Sequence, residues 1–261
     1  MKKPLKSNPE VSIIVCAHNE EEYAGKCLSS VLNAMRNIES EIIFIADRCT
    51  DNTAEIAKKL GISNIIEKKW KKWKNSYAEA LQAGYQKATG EFVAIIDADI
   101  VVPEVFFAKL ISTLHNSVAS VSAQVATYPY TFWNRLIYAW EQTYEFAPLG
   151  RKPRGAARVI LKRALDEVGG FKDAVAPDTD LDIRFARKGY KGVYSRAVKV
   201  WHIRNLTLDK MIKGQIAAGR ARCALGTGIM KTMAHAIFRF RPFIIGGWLM
   251  EWLSRSGGGK D

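Results

Sequence analysis

From Val11 to about Asp99, short runs of apolar and β-branched residues alternate with longer stretches whose apolar residues recur every three or four positions. The runs Val11 to Cys16, Glu41 to Ala46, Asn64 to Glu67 and Phe92 to Asp97 predict strands. The stretches Glu20 to Met35, Asp51 to Leu60 and Ser76 to Ala88 predict helices, the first with Tyr23, Cys27, Val31 and Met35 on one face. This rhythm belongs to βαβ units around a parallel sheet, so the expected fold class is α/β. Such folds place ligands beyond the carboxyl ends of their strands. Three polar stretches fall there and are expected to face one crevice: Ala17 to Glu22, Asp47 to Asp51 and Asp97 to Asp99.

Beyond Pro103 the pattern changes to a helix, a strand at Val118 to Thr127, an aromatic segment and a mixed region to about Val200, with no internal repeat. A boundary is expected near Gly226 to Gly228. After it, Ile229, Met230, Met233, Ile237 and Phe240 recur at helical spacing, and Pro242 interrupts the pattern. Phe243, Ile244, Ile245, Trp248, Leu249, Trp252 and Leu253 then form a second apolar face, too short to span a bilayer. Residues 256–261, with three glycines, read as a flexible tail. The expected organisation is one domain over residues 1–226, with halves at about 11–100 and 101–226, followed by an amphipathic segment and tail at 227–261.

The composition, 48% hydrophobic and 25% charged over 261 residues, is that of a globular protein. It excludes collagen-like, disordered and small disulfide-stapled classes. Cys16, Cys27, Cys49 and Cys223 show no C-x-x-C spacing, which favours a reducing compartment. With no signal-like apolar run after Lys6 and no apolar stretch of 18 residues, a cytoplasmic protein is expected. Charge sharpens this picture. Lys and Arg number 39 against 26 Asp and Glu, a net +13, which calls for an anionic partner: nucleic acid, phospholipid headgroups or a phosphorylated small molecule. Docking of Ile229 to Arg255 on the cytoplasmic face of an anionic membrane is one expectation. A helix pair packed on the domain, or across a homodimer, has the same signature.

Asp97-Ala98-Asp99 ends the apolar run Phe92 to Ile96. Two carboxylates at the exit of a buried strand suit a divalent cation holding a diphosphate, and helix capping before Pro103 is the plainer alternative. Asp47, at the end of the second predicted strand, is placed to accept hydrogen bonds from an imide or ribose, whereas Asp51 reads as helix-capping chemistry. Glu20 lies where acids favour a helix start and where a base contact is also possible in chemistry.

Read in order, Ser12 to Glu20, Ala46 to Thr53 and Ala88 to Asp99 resemble the motifs of family 2 glycosyltransferases with the GT-A fold. Val168-Gly169-Gly170-Phe171, Pro177-Asp178-Thr179-Asp180-Leu181, Gly189-Tyr190 and Trp201-His202 continue the resemblance, which covers roughly residues 11 to 222. It implies a Rossmann-like, mostly parallel sheet flanked by helices, and an inverting transfer of a sugar from a nucleotide-sugar donor to a glycan or lipid-linked acceptor. Ala17, Asn19 or Glu20 and Asp47 would hold the nucleotide, and Asp97 and Asp99 the ribose, diphosphate and a Mg²⁺ or Mn²⁺ ion. His202 would complete the metal site or, alternatively, be a packed residue after a strand. No nucleic-acid partner is expected.

The family's catalytic pair reads Glu-Asp, and here it reads Pro177-Asp178. Asp178 matches the second acid and is assigned as general base. A helix starting near Thr179 puts Asp182 one turn beyond Asp178 and turns Asp180 elsewhere. The family's usual Pro and small residue are replaced by Ala17 and Arg48. Two clusters stay open: Lys68 to Lys74 suits phosphate or headgroup contact or a solvated loop, and Tyr128 to Phe146 suits a core, a homodimer interface or an apolar acceptor groove. The rival readings are a nucleotidyltransferase and a non-catalytic basic module for membrane or nucleic acid.

Overall fold

β1 (Val11–Ala17) is buried almost throughout because parallel neighbours flank it on both sides. The computed structural model describes residues 9–142 and 155–257. After β1 come α1 (Ala24–Ala34), β2 (Ser40–Asp47), α2 (Thr53–Lys59), β3 (Asn64–Lys68), α3 (Ser76–Tyr85) and β4 (Phe92–Asp97). The strands and helices predicted for this half are all present. The first helix starts later than its apolar pattern, at Ala24, because Asn19 is in the left-handed region (φ 54°) and the Tyr23 and Ala24 N–H groups close a turn on the Glu20 carbonyl.

The chain continues through β5 (Ile100–Val101), α4 (Phe106–Ile111), β6 (Val118–Thr127), α5 (Phe132–Gln142), β7 (Ala157–Leu161), α6 (Lys162–Glu167), α7 (Pro177–Arg187) and β8 (Lys191–His202). Three helices follow: α8 (Leu208–Ala224), α9 (Ile229–Phe238) and α10 (Phe243–Gly257). Among the described residues the strands form one sheet in the order β3-β2-β1-β4-β7-β6-β8-β5. The first four are parallel, whereas β7 runs antiparallel to β4 and β6, and β5 antiparallel to β8. Side-chain alternation splits the core in two. Ile13, Val15, Phe44 and Ile96 pack with Leu28, Val31 and Phe106 on one face, and Ile14, Ile43, Ile45 and Ile95 with Leu81, Leu181 and Phe185 on the other.

Two compact units emerge: Met1–Ala126 with Lys152–Ile203, and Thr127–Arg151 with Arg204–Asp261. The first holds the sheet. The second holds α5, α8, α9 and α10, and the boundary expected near Gly226 lies inside it, between α8 and α9. Its fully buried Asn134 stitches the unit together: the side-chain amide donates to the Tyr128 and Arg204 carbonyls at 3.0 and 3.3 Å and accepts from the Leu206 N–H at 3.2 Å. In α9 the predicted apolar stripe faces outward. Met230, Met233 and Ile237 are exposed, and Thr232 and Ala236 are the buried residues. The tail expected from Ser256 begins instead with Ser256 and Gly257 as the last residues of α10, and residues 258–261 lie outside the described residues.

Glycines bring α8 and α10 together. A Cβ on Gly247 would sit 2.0 Å from the Ile216 carbonyl oxygen, whereas one on Gly246 would meet nothing within 4 Å. Gly247→Ala should therefore cost about 1–3 kcal/mol of stability, as forced overpacking does. Gly246→Ala should be neutral or add up to about 1 kcal/mol through helix propensity. Urea unfolding of both variants checks this, and an equal response would show that close approach does not fix the helix pair.

Candidate active site

Chain order and strand order part company at β1. The chain lays β2 and β3 on one side of β1 and then returns to place β4 on the other, so the carboxyl ends of β1 and β4 flank a topological switch point. Helix connections diverge there and leave a crevice. The register aligns Cys16 with Asp97 and Asp47 with Lys68 along this edge.

Asp97 ends β4 on the same face as Val93 and Ile95, where the Tyr77 hydroxyl from α3 donates to its Oδ1 at 2.7 Å. Asp99 is buried, and His202 Nε2 donates to its Oδ2 at 2.9 Å. The two-residue strand β5 makes that contact possible, because it pairs Ile100 with His202 and draws the end of β8 alongside. Burial pushes the Asp97 carboxyl up to about 6; Tyr77 and His202 oppose the rise, and Asp99 and Asp178 add to it. The charges of Asp99, Asp178 and His202 thus all bear on Asp97.

Asp178 stands in the first turn of α7, behind Pro177 at the helix start, and its Oδ1 accepts from the Thr179 N–H at 2.8 Å. The helix begins at Pro177, two residues before the predicted start. Its other acids have structural partners. Asp180 pairs with Arg184 at 2.8 Å, and Arg184 also donates to the carbonyls of Val168 and Gly170 at 2.8 and 2.7 Å. Asp182 pairs with the fully buried Arg158 of β7.

Asp47 is set differently. Its Oδ1 accepts from Lys68 Nζ at 2.9 Å and Arg48 Nε at 3.0 Å, and its Oδ2 accepts from the Ser76 hydroxyl at 2.6 Å. Lys68 is fully buried and also meets Glu79 at 2.8 Å and the Trp70 carbonyl at 2.7 Å. The basic cluster therefore divides: Lys68 is an internal counterion, and Lys69, Lys71, Lys72 and Lys74 are exposed. Arg48, left-handed at φ 52°, folds back onto the preceding carboxylate from a half-exposed position. Ala17 lies buried at the end of β1. Asn19 spends its side-chain oxygen on the Thr50 N–H at 2.8 Å, and the Glu20 N–H donates to the Thr53 hydroxyl at 2.7 Å, so both knit the first polar loop to the second. Asp51 accepts from the Thr53 and Glu21 N–H groups at 3.0 and 3.1 Å, in line with a capping role.

Among the described residues no three His, Cys, Asp or Glu side chains gather as a ready-made metal cage. The donor set nonetheless fits a hard divalent cation, which is commonly bound through one or two carboxylates plus substrate phosphates. Asp99 is paired with His202, and the charges of Asp99 and Asp178 bear on Asp97.

Residues 12–165 match the model of the family described as glycosyl transferase family 2. The chain belongs to that family. It is 24% identical over 216 residues to the probable glycosyltransferase YdaM of Bacillus subtilis (strain 168), covering 76% of this chain and 51% of the relative. It is 27% identical over 107 residues to a dolichol-phosphate mannosyltransferase of Pyrococcus furiosus, covering 41% of this chain and 30% of the relative. This chain thus spans about half the length of the first and a third or less of the second. Among solved structures, the mannosyltransferase PcManGT from Pyrobaculum calidifontis, in complex with GDP-Man and Mn²⁺, superposes with a TM-score of 0.64 at 19% identity, over 98% of this chain and 77% of that one. Glucosyl-3-phosphoglycerate synthase from Mycobacterium tuberculosis, with Mn²⁺, UDP and glucosyl-3-phosphoglycerate, gives a TM-score of 0.58 at 18% identity, over 83% and 78%. These likenesses establish the GT-A fold.

In this family 2 chain, Tyr77, Ser76, Glu79 and Arg158 contact the candidate residues without standing out in the sequence, and Lys68 stands out there only as part of the run to Lys74. Lys68 carried a signal: it follows the strand run Asn64 to Glu67, in register with Asp47, where a Lys is buried only if paired. Tyr77, the second residue of a helix, carried none.

Burial raises the Asp47 and Glu79 carboxyls, but hydrogen bonds from Arg48, Ser76 and Lys68 to Asp47, and from Lys68 and the Lys72 N–H to Glu79, outweigh it and hold both below their ordinary values. Their contribution to stability is present above the unfolded carboxyl range, about pH 4, and is lost as the pH falls through the lower folded values. Lys68→Met leaves two carboxylates without their shared cation and should cost about 3–5 kcal/mol near neutral pH. Both carboxyls then titrate higher, so the gap to the parent should narrow as the pH is lowered to about 5. Urea unfolding at the two pH values measures it; a gap independent of pH would place the loss elsewhere.

Proposed function

We propose that the chain is an inverting glycosyltransferase that moves a sugar from a nucleotide-diphosphate donor to an acceptor hydroxyl. The observation that carries this reading is the convergence of Asp97, Asp99, Asp178 and His202 beside the switch point, while Asp180 and Asp182 are committed to Arg184 and Arg158. The metal-bound nucleotide complexes of similar fold support the donor class.

In this mechanism the nucleotide lies along the ends of β1, β2 and β4, with the base or ribose toward Asp47 and the loop from Ala17 to Glu20. A hydrogen bond from the base to Asp47 requires Arg48 to swing aside, since Lys68 and Ser76 are locked by their other partners. Asp97, Asp99 and His202 would hold a Mg²⁺ or Mn²⁺ ion. When bound, that ion would offset charge on the departing diphosphate. Tyr77 orients Asp97 through its hydroxyl. Asp178 takes the proton from the acceptor hydroxyl as its oxygen attacks the anomeric carbon opposite the nucleotide, so one in-line displacement inverts the centre. Asp178→Asn should lower transfer by ~10²-fold or more and leave donor binding intact. Calorimetric titration with nucleoside diphosphates and a rate assay separate the two effects. Release of pyrophosphate instead of a nucleoside diphosphate, or a mild effect of Asp178→Asn, would overturn the reading.

The second unit supports an acceptor carried on an anionic membrane surface. Among the described residues it holds ten basic side chains against three acidic ones, and most of the exposed large hydrophobics, including Phe132, Trp133, Ile237, Phe240, Trp252 and Leu253. A groove of about 360 Å³ in this unit is walled by Trp133, Trp140, Met211, Phe240 and Phe243. Of the aromatic segment read in the sequence, Tyr144 and Phe146 lie outside the described residues. No helix among the described residues is long and apolar enough to cross a membrane. Cationic residues beside exposed indoles suit the headgroup layer, at about 1 kcal/mol per basic side chain near the surface. Flotation with anionic vesicles should carry the protein, high salt should release it, and Ile237→Glu with Trp252→Glu should weaken capture. Failure of the parent protein to float would sink this part.

A further inference from the structure

One short segment touches both Asp178 and the backbone of Asp97. Gly155 lies against Asp178: a Cβ built on it would be 3.2 Å from the Asp178 Cβ and 3.7 Å from its carboxyl carbon. The carbonyl of Ala156 accepts from the Asp97 N–H at 2.9 Å. Two residues on, Arg158 donates to Asp182, one helical turn beyond Asp178 on α7, and to the Ser120 hydroxyl of β6 at 2.5 Å.

Arg158 is an expensive choice for that place. Its side chain is 1% exposed, and its Nε and Nη1 have no hydrogen-bond partner among the described residues. A buried ion pair with unmet donors is no better for stability than apolar residues of the same volume. Position is what it supplies. Arg158 is the second residue of β7, paired with Ile95 of β4 and Ser122 of β6, so its guanidinium ties the first turns of α7 to the sheet. Asp178 and Asp182 are four residues apart on one helix face, and fixing the second fixes the first.

We propose that Arg158 and Gly155 are positioning residues for the general base: Arg158 anchors α7 through Asp182, and Gly155 leaves the space in which the Asp178 side chain sits. The segment from 155 to 158 then sets the separation between Asp178, which must face the acceptor, and Asp97, which faces the donor. This rests on the reading of Asp178 as base. General-base catalysis is sensitive to such placement, with shifts near 1 Å costing up to about 10²-fold.

The test uses Gly155→Ala and, separately, Arg158→Met with Asp182→Leu, which removes both charges and fills their volume. Each is combined with Asp178→Asn, and kcat, donor KM, nucleoside-diphosphate binding and melting are measured. We expect kcat to fall ~10-fold or more in each variant, with donor KM and nucleotide binding within about twofold and melting retained. Added to Asp178→Asn, neither should lower the rate further, because both act through that carboxylate. A kcat near the parent value in either folded variant, or losses that multiply with Asp178→Asn, would overturn the proposal. If one variant does not fold, the other decides alone. Absence of any transfer by the parent protein would instead be a failure of the glycosyltransferase reading.

Discussion

How each acid near the sheet's carboxyl edge is neutralised determines what it can do. Taking a carboxylate out of water is costly unless a cation or several donors replace the lost hydration. Lys68 serves Asp47 and Glu79 together, Arg184 serves Asp180, Arg158 serves Asp182 and His202 serves Asp99. Among the described residues Asp97 and Asp178 have no ion pair. The fold thus sorts one acid-rich region into carboxylates with a charged partner and two without, of which Asp97 is pushed up by its burial.

That sorting depends on register more than on proximity in sequence. Asp47 and Lys68 meet because parallel pairing of β2 with β3 puts them side by side, and His202 reaches Asp99 because two residues of β5 pair with the end of β8. A one-residue slip in either ladder would turn a partner to the opposite face. The second unit obeys a different constraint. Beside Ile137 and Ile244, many of its buried positions are small or polar, such as Gly219, Gly247, Asn134 and Gln215, and its large apolar side chains are mostly outside. On α9 that puts Met230, Met233 and Ile237 at the surface.

The parallel half was legible because its strands are near-continuous apolar runs and its helices keep the 3.6-residue period. The candidate carboxylates were legible because they stand where those runs stop. Lys68 was read with its lysine neighbours, since composition cannot tell which cation in a run turns inward. On α9 periodicity gives the existence of an apolar stripe and not its direction, and Met230, Met233 and Ile237 stand outside. Tyr77 and Arg158 were invisible for a related reason: a polar side chain on an element becomes part of a site only through contacts with residues far away in the chain.

Pro177 shows how a departure from the family pattern can be absorbed. With Pro at the helix start, where its missing N–H costs nothing, the backbone φ is fixed just before Asp178. A Glu there would bring one more carboxylate to a region in which the charges of Asp99 and Asp178 already raise the cost of ionising Asp97. Replacing it with Pro trades a negative charge for a rigid lead-in. On the proposed reading the single remaining acid depends for its placement on α7 and on Arg158 of β7, so precision of position takes over what a second carboxylate would have supplied in charge.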